Sequence, residues 1–201
     1  MNTVWIYFLI LSYLQMIRNI NRHIIPECYL DTNLVETLVP PEEIGRLRVY
    51  NHQMGFPAVV KEMKEEFSDN FAVGIVDQDK IPVKYLFEFK EALVNKLDVK
   101  LFKHPSKHHY FIVHPPLERW LLDEAKQVGI ALDDAAYGLP ATLIELTKAS
   151  KQKFSQKDSR FKRLFRDLKN ANAQGLTQMT CWLTYLKANP YNADINLLKN
   201  L

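Results

Sequence analysis

The segment Phe71-Ala72-Val73-Gly74-Ile75-Val76-Asp77-Gln78-Asp79 decides the fold class, because it is a short apolar run that ends in two acids. A continuous apolar run of this length is typical of a buried parallel strand. In open α/β sheets, ligands gather beyond the carboxyl ends of such strands. Alternate residues of an extended segment point the same way, so Asp77 and Asp79 are predicted to hold a hard cation such as Mg²⁺. Asp-x-Asp is also common in turns, where the side chains accept from backbone amides, and this alternative stays open.

Strands and helices are predicted to alternate along the rest of the chain. The further predicted strands cover residues 27–31, 46–50, 99–103 and 109–113. The predicted helices cover residues 33–39, 57–67, 85–97 and 116–128. This alternation predicts an α/β fold built from right-handed βαβ units, with a largely parallel sheet flanked by helices. From residue 142 onward, the pattern predicts a C-terminal helical extension.

Charge is divided unevenly along the chain. Residues 23–147 carry 13 Lys and Arg against 20 Asp and Glu, whereas residues 148–201 carry 11 against 3. An acidic body joined to a basic tail is the pattern of a metal-dependent protein that acts on DNA or RNA. Packing of the two regions against each other is the alternative explanation. The sequence therefore divides into an apolar segment (1–22), an α/β domain (23–140) and a basic helical extension (141–201).

The apolar stretch at residues 4–17 resembles a signal sequence or an anchor. It has 14 residues, fewer than the roughly 20 needed to cross a bilayer. It lacks a basic region ahead of it and a small-residue cleavage site after it. We expect a buried first helix or an over-extended start, with Met16 as another initiator, and no stable membrane association. Cys28 and Cys181 are too few for a disulfide framework, so a cytoplasmic location is expected.

Three short motifs occur in a telling order. Asp31-Thr32 follows the first predicted strand, Val76-Asp77-Gln78-Asp79-Lys80 follows a later one, and Leu117-Glu118-Arg119-Trp120-Leu121-Leu122 follows the strand at 109–113. In this order the chain, over roughly residues 26–128, resembles the TOPRIM domain, the topoisomerase–primase module also found in overcoming-lysogenization-defect nucleases and phage-defence effectors. That family places an acid, usually as Glu-Gly, at the first strand–helix junction and an Asp-x-Asp pair after a later strand. Here Asp31-Thr32 stands in the place of Glu-Gly.

The resemblance implies metal-assisted cleavage or transfer of phosphodiesters. Asp77 and Asp79 would hold Mg²⁺ or Mn²⁺, and Asp31 would be a further ligand or an acid/base. Glu118 would orient a ligand or bind a second metal, although an acid there also stabilises a helix N-terminus. The resemblance admits a partner ATPase. It also admits a catalytically inactive module that binds nucleic acid or protein in a defence or mobile-element system, which the departure at Asp31-Thr32 favours.

Basic residues supply candidate contacts to nucleic-acid phosphates. These candidates are Lys80, Lys107, Arg160, Arg163 and Arg166. The three arginines lie on a helix predicted over residues 159–170, whose apolar residues recur at i, i+3, i+4 and i+7. That spacing buries one face and leaves the basic face either to follow a nucleic-acid backbone or to serve as solvated surface.

Other site types fit the sequence less well. Four histidines fall within eleven residues, at His104, His108, His109 and His114. They lack the helical i, i+4 pair or the cysteine partners of zinc sites, so zinc is not expected. A haloacid-dehalogenase-type phosphatase would carry its nucleophilic Asp on the first strand and Thr after the pair, where this chain has Lys80-Ile81. A nucleotide-sugar transferase would carry a nucleotide-binding signature before the pair, and none is present.

Overall fold

A computed structural model of the chain describes residues 20–43, 49–78, 83–89 and 92–201. The apolar stretch 4–17, most of the predicted strand 46–50, and both Asp79 and Lys80 lie outside these ranges. The strands are β1 (Ile24–Pro26), β2 (Ala72–Asp77), β3 (Val94–Lys96), β4 (Val99–Lys103) and β5 (His109–His114). The α-helices are α1 (Tyr29–Leu38), α2 (Phe56–Glu65), α3 (Leu117–Gln127), α4 (Leu143–Ser150), α5 (Ser159–Asn170), α6 (Gln174–Ala188) and α7 (Ile195–Asn200). Short 3-10 helices cover Ile20–His23, Lys84–Phe89 and Lys153–Lys157.

Five strands form one mixed sheet in the order β1-β2-β5-β4-β3. The strands β1, β2 and β5 run parallel, whereas β4 and β3 are antiparallel additions at one side. The predicted α/β class is therefore confirmed, although the sheet is mixed rather than largely parallel. The pairing of β2 with β5 sets Asp77 opposite His114, at the carboxyl ends of both strands. None of the helices formed by the described residues combines the length and apolar character needed to cross a membrane.

The first strand and helix begin earlier than predicted. The strand expected at residues 27–31 is wrong, because β1 ends at Pro26 and α1 already starts at Tyr29. Proline has no N–H for the ladder, and it is tolerated here because β1 is an edge strand. Cys28 is extended and caps the helix, with its Sγ accepting from the Asp31 N–H at 3.3 Å. Asp31 consequently lies in the first turn of a helix and not at the end of a strand.

The helix predicted over residues 85–97 is also wrong. A 3-10 helix covers only Lys84–Phe89, and β3 follows at Val94–Lys96. The turn between β3 and β4 consists of Leu97 and Asp98, with φ of 54° and 62°. Two positive φ angles in a two-residue loop are typical of a type I′ hairpin, which usually carries Asn-Gly. Because Leu-Asp is not a usual sequence for this turn, the hairpin could not be recognised from the sequence. In the strand predicted at 46–50, the described residues Val49 and Tyr50 form no strand.

Two apolar layers cover the two faces of the sheet, because alternate strand residues point to opposite sides. One layer joins Val73 and Ile75 of β2 to helices α1, α3, α5 and α6. The other joins Ala72 and Val76 to α2 and to the 3-10 helix Lys84–Phe89. Side chains in the odd-numbered β2 series therefore face α1. Asp77, two residues after Ile75, continues that series.

The C-terminal helices complete the first layer. Helix α5 matches its predicted bounds and buries its predicted apolar face, formed by Phe161, Leu164, Phe165 and Leu168. In α6, Trp182 is fully buried, and its indole Nε1 donates to the Leu198 backbone oxygen at 3.1 Å. These residues belong to the same apolar cluster as the sheet. The helices after residue 141 thus close the face of the sheet on which α1 lies.

Gly74 is required by close packing in the second layer. It lies opposite Phe111 in the sheet. A Cβ at this position would clash with the Phe111 ring and would lie 3.0 Å from Val59 Cγ1. The Phe111 ring also contacts the rings of Phe56 and Phe89, with centroids 5.4 Å and 5.0 Å away, and these contacts restrict its movement.

We expect Gly74→Ala to lower the free energy of unfolding by about 1–3 kcal/mol, as overpacking of a tight core does. Urea denaturation measures this loss. In a Phe111→Leu background the smaller side chain leaves room for the added methyl group, so the cost of Gly74→Ala should shrink. Equal costs in the two backgrounds would contradict the close-packing explanation.

Candidate metal centre

Three chain-distant side chains meet at the carboxyl edge of the sheet. Asp31 comes from the first turn of α1, which follows β1. Asp77 is the last residue of β2, and His114 is the last residue of β5. Because β1, β2 and β5 are parallel, their carboxyl ends lie side by side, and the α1 face of the sheet collects all three side chains.

The three side chains are close together and largely buried. His114 Nε2 lies 3.3 Å from Asp31 Oδ1, and His114 Nδ1 lies 3.3 Å from Asp77 Oδ1. The side chains of His114 and Asp31 are 0% and 1% exposed, and that of Asp77 is 31% exposed. One possible ligand atom from each residue lies within 4.8 Å of the others. Two ligands of one ion, each about 2.1 Å from it at roughly right angles, would be about 3 Å apart. The group could therefore hold a metal ion.

Four buried polar atoms of this group lack hydrogen bonds. Both carboxylate oxygens of Asp31, Oδ1 of Asp77 and Nε2 of His114 have no hydrogen-bond partner among the described residues, although His114 Nε2 and Asp31 Oδ1 lie within ion-pair distance of each other. An ionised carboxylate that is removed from water without a partner carries a large desolvation cost. A positive charge at this point would offset that cost.

The tautomer of His114 shows where the positive charge is needed. Its Nδ1 lies 2.8 Å from the Pro115 carbonyl oxygen, which can only accept, so Nδ1 carries a proton. If Nε2 has no proton, its lone pair faces the negative Oδ1 of Asp31 at 3.3 Å. That arrangement repels unless a cation lies between the two atoms. Either a proton between these two atoms or a bound metal ion would remove the repulsion.

The acid–base properties of the group follow from this crowding. Burial alone would lower the pKa of His114, but the neighbouring carboxylates of Asp31 and Asp77 raise it to about 9. Burial raises the pKa of Asp77 to about 7, against the opposing charge of His114. The negative charges of Asp31 and of two glutamates, Glu27 and Glu118, add to the rise. In the absence of a metal, the protein therefore holds extra protons in this group.

Neighbouring residues fix the geometry of the group. The imidazole of His114 stacks on the indole of Trp120, with centroids 5.3 Å apart and planes inclined by 16°. Glu27 Oε2 accepts from the Asp77 N–H at 2.9 Å, and Glu27 Oε1 accepts from the Phe56 N–H at 3.0 Å. Glu27, the residue after β1, thus connects the end of β2 to the start of α2. Positioning of this kind is typical of ligands held in place by surrounding hydrogen bonds.

A cleft of about 850 Å³ opens next to the group. Its lining includes Asp77, Cys28, Glu118, Arg119 and Lys151. Arg119 and Lys151 are exposed, whereas Glu118 is half-buried and accepts a hydrogen bond from the Ser150 hydroxyl. Burial and the nearby Asp31 charge raise the pKa of Cys28, so its thiol stays protonated and is a poor nucleophile. The cleft therefore presents the basic side chains of Arg119 and Lys151 together with the acidic group, a combination that suits an anionic ligand bound with a cation.

No family model, curated protein or solved structure matches this chain. Its function must therefore be inferred from the site itself.

Only some of the predicted site residues lie together at the carboxyl edge of the sheet. Asp31 and Asp77 come together as expected, and Glu118 faces the same cleft. Asp79 and Lys80 lie outside the described residues. Lys107 precedes β5 and pairs with Asp69 at 3.3 Å, at the end of the sheet opposite the metal group.

The three arginines of α5 are exposed but engaged in local contacts. Arg160 pairs with Asp158 at 2.7 Å, and Arg163 donates to the Ala136 carbonyl oxygen at 2.8 Å. Arg166 donates to the Lys162 carbonyl oxygen within the same helix. None of these contacts brings the arginines to the cleft lining described above.

Sequence reasoning missed His114 and Glu27. His114 ends an apolar strand just as Asp77 does, and this parallel was the available signal. Of the described histidines, His114 alone joins a group of three metal-binding side chains. His109 begins β5, and its Nδ1 is 2.6 Å from the Tyr85 hydroxyl, whereas His104 directly follows β4. Zinc was not expected from the spacing of the histidines, and one of them, His114, belongs to the possible metal-binding group with Asp31 and Asp77.

Proposed function

We propose that this protein is a divalent-metal-dependent enzyme that cleaves or transfers phosphodiesters of nucleic acid, with a TOPRIM-like arrangement. The observation that carries the proposal is the buried group Asp31, Asp77 and His114, whose facing oxygen and nitrogen atoms have no hydrogen-bond partners. It lies beside a cleft that also presents Arg119 and Lys151. Acidic ligands next to basic phosphate-binding groups are the parts that phosphodiester chemistry needs.

Each residue has a role in this proposal. A divalent ion, when bound, would polarise the phosphodiester and lower the pKa of an attacking water. Arg119 and Lys151 would bind the non-bridging oxygens of the phosphate, which a guanidinium can contact in bidentate fashion. Glu118, with one oxygen held by Ser150, would accept a proton from water with the other.

The donor set bears on the identity of the metal. Two carboxylates alone would suit Mg²⁺, whereas an imidazole ligand is more common with Mn²⁺, Fe²⁺ or Zn²⁺. Because His114 joins Asp31 and Asp77, we propose Mn²⁺ ahead of Mg²⁺.

The residues at the observed strand ends support the TOPRIM resemblance, and they fit the family pattern better than Asp31-Thr32 does. Glu27 directly follows β1 and precedes α1, so it occupies the first strand–helix junction, where the family usually has Glu. Cys28 then stands at the glycine position. Asp77 is the last residue of the later strand β2, and Leu117-Glu118 opens α3 after β5. Both cysteines are free thiols, which fits the proposal that the protein works in the cytoplasm.

Metal-dependent cleavage by the wild-type protein tests this function. We expect Mn²⁺ to raise the melting temperature and to support nicking of plasmid or single-stranded DNA or RNA, with both effects removed by EDTA. Asp31→Asn should lose both effects. The matched control is Asp98→Asn, in the β3–β4 turn, where Asn tolerates the positive φ of 62°. Cleavage that is retained by Asp31→Asn, or that proceeds in EDTA, would exclude the proposed role of the group.

One observation favours the inactive binding module as a second candidate. With its pKa raised to about 9, His114 can carry two protons near neutral pH and neutralise part of the charge of Asp31 and Asp77 without a metal. In that case the group would be a buried ion network that only fixes the fold. A wild-type protein that binds nucleic acid but shows neither a metal-induced thermal shift nor cleavage would establish this second function.

A further inference from the structure

A basic turn with an exposed aromatic ring lies beyond the cleft. The 3-10 helix Lys153–Lys157 and its flanks line an open groove of about 940 Å³. Phe154, one of the residues that line the groove, is 58% exposed. Lys153 and Lys157 flank it and are exposed as well. An exposed phenylalanine between lysines is a surface that suits a ligand with both a flat apolar face and negative charge.

Buried hydrogen bonds fix this turn to the helix that carries Asp31. The fully buried Asn33, two residues after Asp31, donates from Nδ2 to the Ser155 backbone oxygen at 2.6 Å and to the Asp158 backbone oxygen at 3.2 Å. The buried Ser155 hydroxyl donates to the Ser150 backbone oxygen at 2.6 Å. The turn therefore has a fixed position relative to the metal group, as a site built on rigid elements requires.

The groove is continuous along the chain with the cleft at the metal group. Ser150 and Lys151 line the cleft, and the next residue, Gln152, lines the groove. Lys151, Lys153 and Lys157 form no ion pair with another described residue. Their charges are thus available to a polyanion that extends from the cleft into the groove.

We infer that this groove binds single-stranded nucleic acid, with Phe154 stacking on a base and with Lys151, Lys153 and Lys157 contacting successive phosphates. The inference rests on the proposed function and names its substrate class. In a duplex the base faces are covered by their neighbours, so an exposed ring can stack only on an unpaired base. Arg160, which the sequence suggested as a contact, is held by Asp158 and by the Gly138 carbonyl oxygen instead.

Binding of labelled oligonucleotides tests the role of Phe154. Fluorescence anisotropy is measured in EDTA, so that no cleavage occurs, with single-stranded DNA, single-stranded RNA and a duplex of the same sequence. We expect Phe154→Ala to bind single strands about 5- to 150-fold more weakly, the range for one stacked base. The matched control is Phe87→Ala, which removes a ring that is 66% exposed on the 3-10 helix of the opposite layer, and it should bind as the wild type does. Preference for DNA or for RNA identifies which single strand the groove takes.

The salt dependence of binding tests the lysines. Each lost phosphate contact reduces the magnitude of the negative slope of log K against log salt by about 0.7 for single strands. Lys153→Ala combined with Lys157→Ala should therefore make the slope less negative by about 1.4. The paired control, Lys126→Ala with Lys199→Ala, removes two exposed lysines elsewhere and should leave the slope unchanged.

The outcomes separate this inference from the proposed function. Wild-type affinity in Phe154→Ala, or equal affinity for duplex and single strands, would overturn the groove as a single-strand site. If Phe154→Ala also cleaves with an unchanged KM, the enzyme function survives and the groove assignment fails. If single strands bind through Phe154 but no metal supports cleavage, the groove assignment survives and the enzyme function fails.

Discussion

Asp77→Asn is expected to reduce metal-dependent cleavage by about 1000-fold, because metal catalysis is worth several kcal/mol of transition-state stabilisation. Asparagine has nearly the same shape as aspartate, but it lacks the charge that a divalent ion requires. The backbone N–H of residue 77, which donates to Glu27 at 2.9 Å, is untouched by the substitution. The loss should therefore fall on kcat, with little change in the affinity for single-stranded substrate measured in EDTA.

Asp69→Asn is the matched control for this substitution. It makes the same chemical change just before the amino end of β2, where the Asp69 side chain is 80% exposed and pairs with Lys107. We expect wild-type cleavage from this variant, measured by gel analysis of nicked plasmid across a Mn²⁺ titration. If Asp77→Asn and Asp69→Asn cleave at similar rates, the buried group is not the catalytic centre.

The sequence best predicted the strands and helices that show one strong local pattern. β4 matches its predicted bounds, and β5 extends one residue further than predicted. The loop between these two strands contains the turn residues Pro105 and Ser106, and α5 shows the spacing of one buried face in its sequence. Local patterns of this kind do not depend on which elements become neighbours.

The elements that sequence missed depend on context. Only its edge position allows β1 to end in Pro26, and edge positions are set by the whole sheet. The β3–β4 hairpin uses Leu97-Asp98, which carries no turn signature, because pairing along β4 and β5 supplies the stability. Tertiary contacts of this kind outweigh local preference.

Part of the candidate site could be predicted from the sequence, and the rest depends on tertiary contacts. Acids at strand ends can be recognised from sequence, and Asp77 was predicted in this way. Asp31 was predicted as well, although the strand that was expected to end there is not formed. His114 becomes a partner only through the in-register parallel pairing of β5 with β2, which brings together residues 37 positions apart in the chain. Glu27 was placed inside a strand, although it lies at the junction that follows β1.

In the metal-free protein, Asp77→Asn is expected to increase stability above neutral pH. Burial, opposed by His114 and reinforced by Asp31, raises the pKa of Asp77 from 3.8 to about 7 in the folded protein. The folded state therefore binds this proton more tightly than the unfolded state does. The cost of ionising Asp77 is absent below pH 3.8, grows as the pH rises, and is complete above about pH 7.

The size of this cost follows from the pKa shift. A rise from 3.8 to about 7 corresponds to about 4 kcal/mol, at about 1.4 kcal/mol per pH unit. The Asp77 side chain is 31% exposed, so solvent screens part of the charge. We expect the substitution to raise the free energy of unfolding by about 2 kcal/mol in EDTA, measured by urea denaturation one unit above the Asp77 pKa.

Saturating Mn²⁺ should reverse this order of stability. An ion that binds only the folded wild type adds about 2.7 kcal/mol at a concentration of 100 times its Kd, whereas Asp77→Asn gains nothing. The same variant is then the more stable protein without metal, by about 2 kcal/mol, and the less stable one with it, by about 0.7 kcal/mol, so the difference in stability changes by about 2.7 kcal/mol. An order that is the same in EDTA and in Mn²⁺ would contradict metal binding. If Asp77→Asn is less stable in both, the proton on His114 neutralises the group, and the carboxylates serve the fold instead of a reaction.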